Sequence, residues 1–146
     1  MKRYFELHVP HLPDRMFEIV SDLADYPRFI PNCKAMDVRS DPTAGDNTKL
    51  AKMTLSFGPI TQAYTSRVVA DPDERTIRAK AVDGPFSYLD SEWRFTPEGM
   101  GTRVQFEIDF KISNPLVAAV AEPAFAAKQD EIMRAFASEA DRRFGV

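Results

Sequence analysis

The chain has 146 residues, one cysteine, two histidines and a formal net charge of −3. This length fits one domain, the single cysteine excludes an internal disulfide, and the acidic balance disfavours a protein that grips a nucleic-acid backbone. No apolar run approaches the roughly 20 residues that span a bilayer, and no signal-like leader opens the sequence. We therefore expect a single domain over 1–146 in the cytoplasm, with contact to the inner face of the membrane at most peripheral.

The amino-terminal part predicts a strand followed by short helices. Apolar and polar residues alternate over 5–9, as in a strand with one buried face. Apolar residues then recur at helical spacing over 16–23, after Pro13, which suits the first turn of a helix. Pro27 and Pro31 prevent this helix from continuing, so we expect two short helices after the first strand.

From residue 35 to residue 112 the apolar residues recur every second position, which is the period of a strand. Clusters of Gly, Pro, Asp and Asn predict turns at 41–47, 58–59, 71–73, 83–85 and 97–99. Six consecutive strands joined by short turns form an antiparallel meander. Because each strand has one charged face, we expect one side of the sheet to face water and the other to be covered.

One long helix remains to cover the apolar face of the sheet. Ser113 or Asn114 can cap it, Pro115 suits its first position, and Gly145 follows its predicted end. Pro123 is expected to kink or interrupt it. Its inner side is predicted to consist of Leu116, Val120, Phe125, Ile132, Met133, Phe136 and Ala140. The sequence thus predicts an α+β fold in which a curved antiparallel sheet of about seven strands wraps around a long C-terminal helix.

A curved sheet around one helix can leave a cavity between the two layers. The inward faces mix large aromatic residues with small ones such as Ala79, Ala81 and Ser91. The hydroxyl of Tyr64 and the indole N–H of Trp93 could orient the polar head of a ligand, although most inward aromatics simply pack in a core. The candidate ligand-binding residues are Phe29, Phe57, Tyr64, Phe86, Leu89, Trp93, Phe106, Phe110, Val120, Phe125, Met133 and Phe136.

Two further segments are unusually apolar for their predicted positions. Apolar residues occupy predicted turns at 29–31, 57–59 and 84–86, where they either surround the mouth of the cavity or fasten loops to the core. The first half of the last helix, 116–127, carries a single charge, whereas a surface helix normally has a charged stripe. Either both sides of this segment are buried, or one side meets a membrane or a protein partner.

Three stretches of the sequence resemble a known family. Residues 20–33 (VSDLADYPRFIPNC) are similar to the family's aspartate, Tyr-Pro-x-Phe-x-Pro and cysteine segment, and residues 82–95 (VDGPFSYLDSEWRF) to its Gly-Pro-Phe, leucine and Trp-x-Phe segment. The third stretch is the C-terminal helix with Phe136 and a closing Phe-Gly pair. The family is that of the coenzyme Q-binding proteins (ubiquinone chaperones) and the ribosome-association toxins, within the START-like, helix-grip superfamily of polyketide cyclases/dehydrases and lipid transport proteins.

The resemblance implies a helix-grip fold with a hydrophobic tunnel for a ubiquinone-like lipid, in support of respiration or quinone biosynthesis. Such binding requires a dry channel, a few polar groups and a mouth, so we expect no enzymatic activity, no cofactor and no metal. The sequence departs from the pattern at Asn32, where the eukaryotic quinone binders usually carry Trp. An aromatic contact from this position is therefore in doubt.

A polyketide cyclase-type enzyme is one alternative, and it requires titratable side chains inside the cavity. Strand parity instead places the nearby carboxylates on the solvent side, namely Asp90, Glu92, Glu107 and Asp109. Both histidines, His8 and His11, are expected at the surface, and Cys33 is expected to be a buried, inert thiol.

A ribosome-association factor is the other alternative, as the toxin name within the family implies. Basic residues occur on the outer faces of the predicted strands, namely Arg67, Arg78, Lys80, Arg94, Arg103 and Lys111. Because they are interleaved with acidic residues, no strong basic stripe for RNA emerges, and DNA is not expected as a partner.

Overall fold

Residues 1–41 and 43–145 are described in a computed structural model of the protein. The strands are β1 (Lys2–Val9), β2 (Cys33–Ser40), β3 (Thr48–Phe57), β4 (Ile60–Asp71), β5 (Thr76–Ala81), β6 (Phe86–Glu98) and β7 (Gly101–Ile112). The α-helices are α1 (Pro13–Ser21), α2 (Tyr26–Phe29) and α3 (Pro115–Phe144), and a 3₁₀ turn at Leu23–Asp25 joins the first two.

The strands form one antiparallel sheet in the order β1-β7-β6-β5-β4-β3-β2. Strands β2 to β7 pair with their neighbours in sequence, and β1 adds to the free edge of β7 with Phe5 opposite Phe106. The two short helices and the long last helix also stand where the sequence predicts them, so the predicted α+β architecture is confirmed. The predicted turn at 41–47 joins β2 to β3, but Pro42 within it lies outside the described residues.

Helix α3 begins at a side-chain cap and runs without interruption past its internal proline. The Oδ1 atom of Asn114 accepts hydrogen bonds from the backbone N–H groups of Leu116 (2.9 Å) and Val117 (3.4 Å). The expected interruption at Pro123 does not occur. Pro123 and Ala119 are both exposed, so the carbonyl group of Ala119, which loses its helical partner to the proline, is on the side of the helix that water can reach.

The inner side of α3 differs from the prediction in its first half. Leu116 is 80 % exposed and Val120 is 41 % exposed, so neither packs on the sheet. The residues that do face the sheet are Val117, Ala121 and Phe125, each four positions apart, as the helical period requires. The prediction that Leu116 and Val120 face the sheet was wrong because it followed side-chain size. Counting back from Phe125 in steps of four residues leads to Ala121 and Val117 instead. In the second half, the predicted Ile132, Met133, Phe136 and Ala140 are buried.

A buried carboxylate anchors the C-terminal end of α3. Glu139 is only 3 % exposed and accepts hydrogen bonds from Arg142 and Arg143 of its own helix and from Arg28 of α2. Arg28 and Arg143 also bind Asp25, at 2.8 and 2.6 Å. These hydrogen bonds, led by that from Arg142, hold the pKa of Glu139 well below its usual range, against the opposing effect of burial. The network ties α3 to the short helices.

His11 is buried beside the same end of α3, and the expectation of a surface position was wrong. It is 4 % exposed, its Nε2 lies 2.7 Å from Oδ1 of Asp141, and its ring is tilted against that of Phe144. The hydroxyl of Thr102 donates a hydrogen bond to its carbonyl group. The loop that carries it folds beneath the end of α3, a long-range contact that the flanking prolines do not indicate. His8 is exposed, as predicted.

We predict that Glu139→Gln lowers the free energy of unfolding at pH 7 by roughly 2–3 kcal/mol, because it removes the charge that three arginines share. The folded-state pKa of Glu139 is depressed, so its contribution is complete above the unfolded pKa near 4.3 and is lost as the pH falls toward the folded value. Urea unfolding between pH 7 and pH 3 measures both effects.

The matched control is Glu131→Gln, an exposed carboxylate on the same helix that pairs with Lys128. We expect it to change the stability by less than about 0.5 kcal/mol. If the two variants were equally stable, with the same pH dependence, Glu139 would not be an anchor of the fold.

Candidate functional site

A cavity of about 210 Å³ lies between the inner face of the sheet and α3. Its floor consists of small side chains on the four consecutive strands β3 to β6. Ala51 lies opposite Ser66, and Ala79 lies opposite Ser91. Because opposite residues of neighbouring strands share a face, these four small residues occupy two adjacent rows in the middle of the sheet.

Helix α3 leaves this floor uncovered. After Phe125, the next residue of α3 in the cavity wall is Ile132. Gln129 lies between them, but its side chain turns toward β1, where Oε1 accepts a hydrogen bond of 2.6 Å from Nε of Arg3. Its Nε2 donates to the carbonyl group of Tyr4 at 3.4 Å. The cavity thus has small residues in its floor, and the stretch of α3 between Phe125 and Ile132 contributes no residue to its wall.

Large side chains close one end of the cavity. The ring of Trp93 lies 4.6 Å from that of Phe106 on β7 and 4.8 Å from that of Phe136 on α3. Ile132 and Met133 pack beside them, and all five side chains are buried. This end is therefore a packed core, and it gives a ligand no way out.

The opposite end is bordered by aromatic rings that meet edge to face. Phe86 lies 4.9 Å from Tyr64 and 5.9 Å from Phe110, and Phe125 lies 5.7 Å from Phe110 and 6.0 Å from Phe57. The lining residues here are only partly buried, which makes this the open end of the cavity. They include Ile60, Gln62, Pro85, Phe86, Val117 and Ala121.

Gly84 places the loop before β6 against the mouth. Its backbone has φ +107°, and a Cβ atom built on it would lie 2.4 Å from Cβ of Tyr64. Only glycine fits such a close approach in this backbone conformation. The glycine thus allows Pro85 and Phe86 to reach the cavity wall beside Tyr64.

The polar groups of the wall are uncharged. They belong to Tyr26, Gln62, Tyr64, Ser66, Ser91 and Trp93, and none of the described lining residues is Asp, Glu, His, Lys or Arg. The hydroxyl of Tyr26 donates to the carbonyl group of Val20, whereas that of Tyr64 donates a long hydrogen bond to the sulfur of Met53, at 3.8 Å. Burial raises the pKa of Tyr64 to about 12, so its hydroxyl stays protonated at neutral pH and can donate a hydrogen bond.

The structure places ten of the twelve predicted site residues in the cavity wall, namely Phe57, Tyr64, Phe86, Leu89, Trp93, Phe106, Phe110, Phe125, Met133 and Phe136. Val120 points to solvent, because a position five residues before Phe125 lies on a different side of the helix. Phe29 packs behind the wall against Tyr26 and Phe136. The predicted mouth segment 29–31 contributes Ile30 to the wall, where it is buried. The predicted mouth segments 57–59 and 84–86 contribute Phe57, Pro85 and Phe86 to the wall.

Several wall residues were missed by the sequence analysis. Ser66 shares strand parity with Tyr64 and Val68, and Val117 and Ala121 share helical spacing with Phe125. The periods of strand and helix therefore could have identified these residues.

Asn32 lies outside the wall. It has φ 71°, which asparagine tolerates, and its Nδ2 donates to the carbonyl group of Ser56 at 2.8 Å, which fastens the start of β2 to β3.

A curved antiparallel sheet that holds a long helix over an apolar cavity defines the START-like, helix-grip class of proteins. The model of the family described as polyketide cyclase / dehydrase and lipid transport matches residues 9–137, and the chain belongs to that family. Its relatives carry the two names that the sequence motifs indicated.

One relative is the ribosome association toxin RatA of Rickettsia prowazekii, with 28 % identity over 90 % of each chain. Another is the mitochondrial coenzyme Q-binding protein coq10 of Schizosaccharomyces pombe, with 30 % identity over 90 % of this chain and 82 % of the relative. Among solved structures, an 18 kDa protein from Caulobacter crescentus superimposes with a TM-score of 0.81 and 28 % identity, over 100 % of this chain and 99 % of that one.

We predict that Gly84→Ala lowers the free energy of unfolding by roughly 2–3 kcal/mol, since the new Cβ atom meets both a forbidden backbone conformation and Tyr64. Gly99→Ala is the control, because its φ of +61° imposes strain while no atom lies within 4 Å of its Cβ position. Chemical unfolding should show the smaller loss for Gly99→Ala. An equal loss at both positions would show that the contact with Tyr64 is unimportant.

Proposed function

We propose that this protein binds a ubiquinone-like lipid in the cavity, either ubiquinone or a polyprenyl quinone precursor, and thereby supports respiration or quinone biosynthesis. The observation that carries the proposal is an apolar cavity whose polar groups are all uncharged hydrogen-bonding side chains. A substituted quinone ring with a hydrocarbon tail matches this chemistry. The name of the Schizosaccharomyces pombe relative, a coenzyme Q-binding protein, points to the same ligand class.

Apolar burial supplies enough free energy for such binding. Each methylene-sized group removed from water contributes roughly 0.8 kcal/mol, so a ring and the first five-carbon isoprene unit contribute several kcal/mol before the costs of association. The ring needs only a few hydrogen bonds to fix its orientation. The proposed contacts are the ten predicted residues in the wall together with Ser66 and Ser91.

The charge distribution supports binding without catalysis and without a cofactor. Cyclase or dehydrase chemistry requires an acid or a base beside the substrate. The carboxylates of Asp90, Glu92 and Glu107 instead lie on the outer face of the sheet, where they pair with basic side chains at 3.2–3.7 Å. The wall residues present hydroxyl, amide and indole groups, which can hold a quinone oxygen but do not exchange protons readily near pH 7.

The exposed side of the first half of α3 suits contact with a lipid bilayer. Leu116 and Val120 are exposed, while Val117 and Ala121, on the neighbouring side of the same turns, line the open end of the cavity. A bilayer that covers the exposed side would therefore lie next to the mouth. No helix in the described part of the chain is long and apolar enough to cross a membrane, so this contact is made at the surface.

A ribosome-association factor is the alternative, and the name of the Rickettsia prowazekii relative is what favours it. The outer face of the sheet offers it little support. Lys2, Arg78 and Lys80 each lie within 3.7 Å of a carboxylate, which offsets their attraction for phosphate groups. A quinone in the cavity explains more of the structure.

Native mass spectrometry, combined with organic extraction of protein purified from a ubiquinone-producing host, tests the proposal directly. We expect a polyprenyl quinone to co-purify, and Ala79→Phe to retain at least about tenfold less of it, because the new ring fills the floor. An empty protein that takes up no short-tailed quinone and sediments with ribosomal subunits at low salt would contradict the proposal and favour the alternative.

Ala44→Phe provides the control for this substitution, because Ala44 lies in an exposed turn far from the cavity wall. It should retain the quinone at the level of the original protein. Thermal unfolding of both variants separates loss of ligand from loss of fold, since filling an existing cavity should cost less than about 1.5 kcal/mol. Parallel losses of stability and ligand in Ala79→Phe would indicate plain core packing.

We predict that Leu116→Asp combined with Val120→Asp slows quinone uptake from anionic or neutral vesicles by about tenfold, because two charges on the exposed side oppose contact with acyl chains. Stopped-flow measurement with vesicle-bound short-tailed quinone gives the rate. Met100→Asp is the control, since Met100 is 96 % exposed in the turn between β6 and β7, at the end of the sheet away from the mouth. Equal rates for all three proteins would contradict the membrane contact.

A further inference from the structure

We infer that the ligand enters ring first, so that its ring lies over Ser66 and Ser91 and its tail leaves through the mouth. The protein then recognises the ring and not the length of the tail. This inference rests on the proposed function and gives the bound lipid a direction. It follows from three features of the cavity, namely its volume, the position of its polar groups and its packed end.

The volume admits one ring and little more. A cavity of about 150 Å³ lined by leucine, isoleucine and phenylalanine takes up a single benzene ring. The present cavity, of about 210 Å³, therefore has room for a substituted six-membered ring with the beginning of a tail. A tail of several isoprene units has to lie elsewhere.

Two hydroxyl groups lie in the middle of the cavity, and Gln62 and Tyr64 lie toward the mouth, whereas Tyr26 and Trp93 belong to the packed end. Ser66 and Ser91 lie in the floor, so their hydroxyl groups border the cavity. Tyr64 stands next to Ser66 on the same face of β4, and its hydroxyl donates a long hydrogen bond to the sulfur of Met53. A hydroxyl group facing a dry hydrocarbon tail would lose its hydrogen bonds to water without replacement, whereas the oxygen of a quinone ring replaces them.

The packed end prevents the opposite orientation. Beyond Ser91, the ring of Trp93 contacts those of Phe106 and Phe136, and Ile77 lies opposite Trp93 on the neighbouring strand. A tail inserted first would have to displace these buried rings. The open end, by contrast, presents apolar side chains along the path that a departing tail would follow, including Phe57 and Val117.

Trp93 is the only tryptophan of the chain and lies one row from Ser91 on the same face of β6, so it reports on where the ring sits. Benzoquinones quench indole fluorescence at short range by accepting an electron from the excited indole. The probes are the ubiquinone ring with no isoprene unit, with one and with two, and geraniol, which has two isoprene units and no ring. Isothermal titration calorimetry measures binding independently of the fluorescence.

We expect the three quinones to quench Trp93 by more than about half at saturation, and the quinones with one and two isoprene units to bind within about threefold of each other. Ser66→Ala combined with Ser91→Ala should weaken quinone binding by about tenfold and leave geraniol unaffected. Ser87→Ala is the control, because Ser87 lies on the exposed face of β6, the strand that carries Ser91, and its hydroxyl makes a hydrogen bond with that of Ser113. Thermal unfolding confirms that each variant is folded.

Three results would overturn the inference while leaving the proposed function intact. One is quinone binding without quenching of Trp93, and another is an affinity that rises more than about tenfold with the second isoprene unit. The third is equal loss of quinone and geraniol in the double serine variant, which would remove the serines from ring recognition. If neither the quinones nor geraniol bound at all, the proposed function would fail together with the inference.

Discussion

The packing of α3 against the centre of the sheet determines nearly everything else about this protein. Four small residues on strands β3 to β6 form the floor of the cavity, and α3 contributes wall residues up to Phe125 and again from Ile132 onward. Close packing is the normal state of a protein interior, so an unfilled space of this size has to be maintained by the surrounding contacts. Hydrogen bonds of the sheet below and aromatic contacts at both ends maintain it here.

The two ends of α3 are held by different forces, and this difference accounts for the cavity having one closed end and one open end. The C-terminal end is fixed by the charges around Glu139 and by the hydrogen bond between the buried His11 and Asp141. The N-terminal end has a cap at Asn114 and apolar contacts, with Leu116 left in solvent. The closed end of the cavity therefore lies toward the strongly anchored part of the helix, and the mouth lies beside the weakly anchored part.

Strand periodicity predicted most of the fold and most of the cavity wall, because one face of each strand is charged and the other is not. Trp93 and Phe106 could be placed inward from their neighbours alone. The pattern misled at Val120, where a large apolar side chain stands at a position that the helical spacing turns toward solvent. It also misled at His11, which is buried because of a contact with Asp141, distant in the sequence. The free space above Ser66 and Ser91 depends on which residues of α3 reach the sheet, which no local pattern of the strands expresses.

The small residues of the floor also bear on how such a protein changes over evolutionary time. Ala51, Ser66, Ala79 and Ser91 sit within strands whose backbone hydrogen bonds do not depend on the side chain. Exchanging one of them for a residue a methyl group larger or smaller would alter the shape offered to a small molecule and leave the strand pairing in place. A family built on this scaffold can thus diversify its ligands one substitution at a time, at little risk to its architecture.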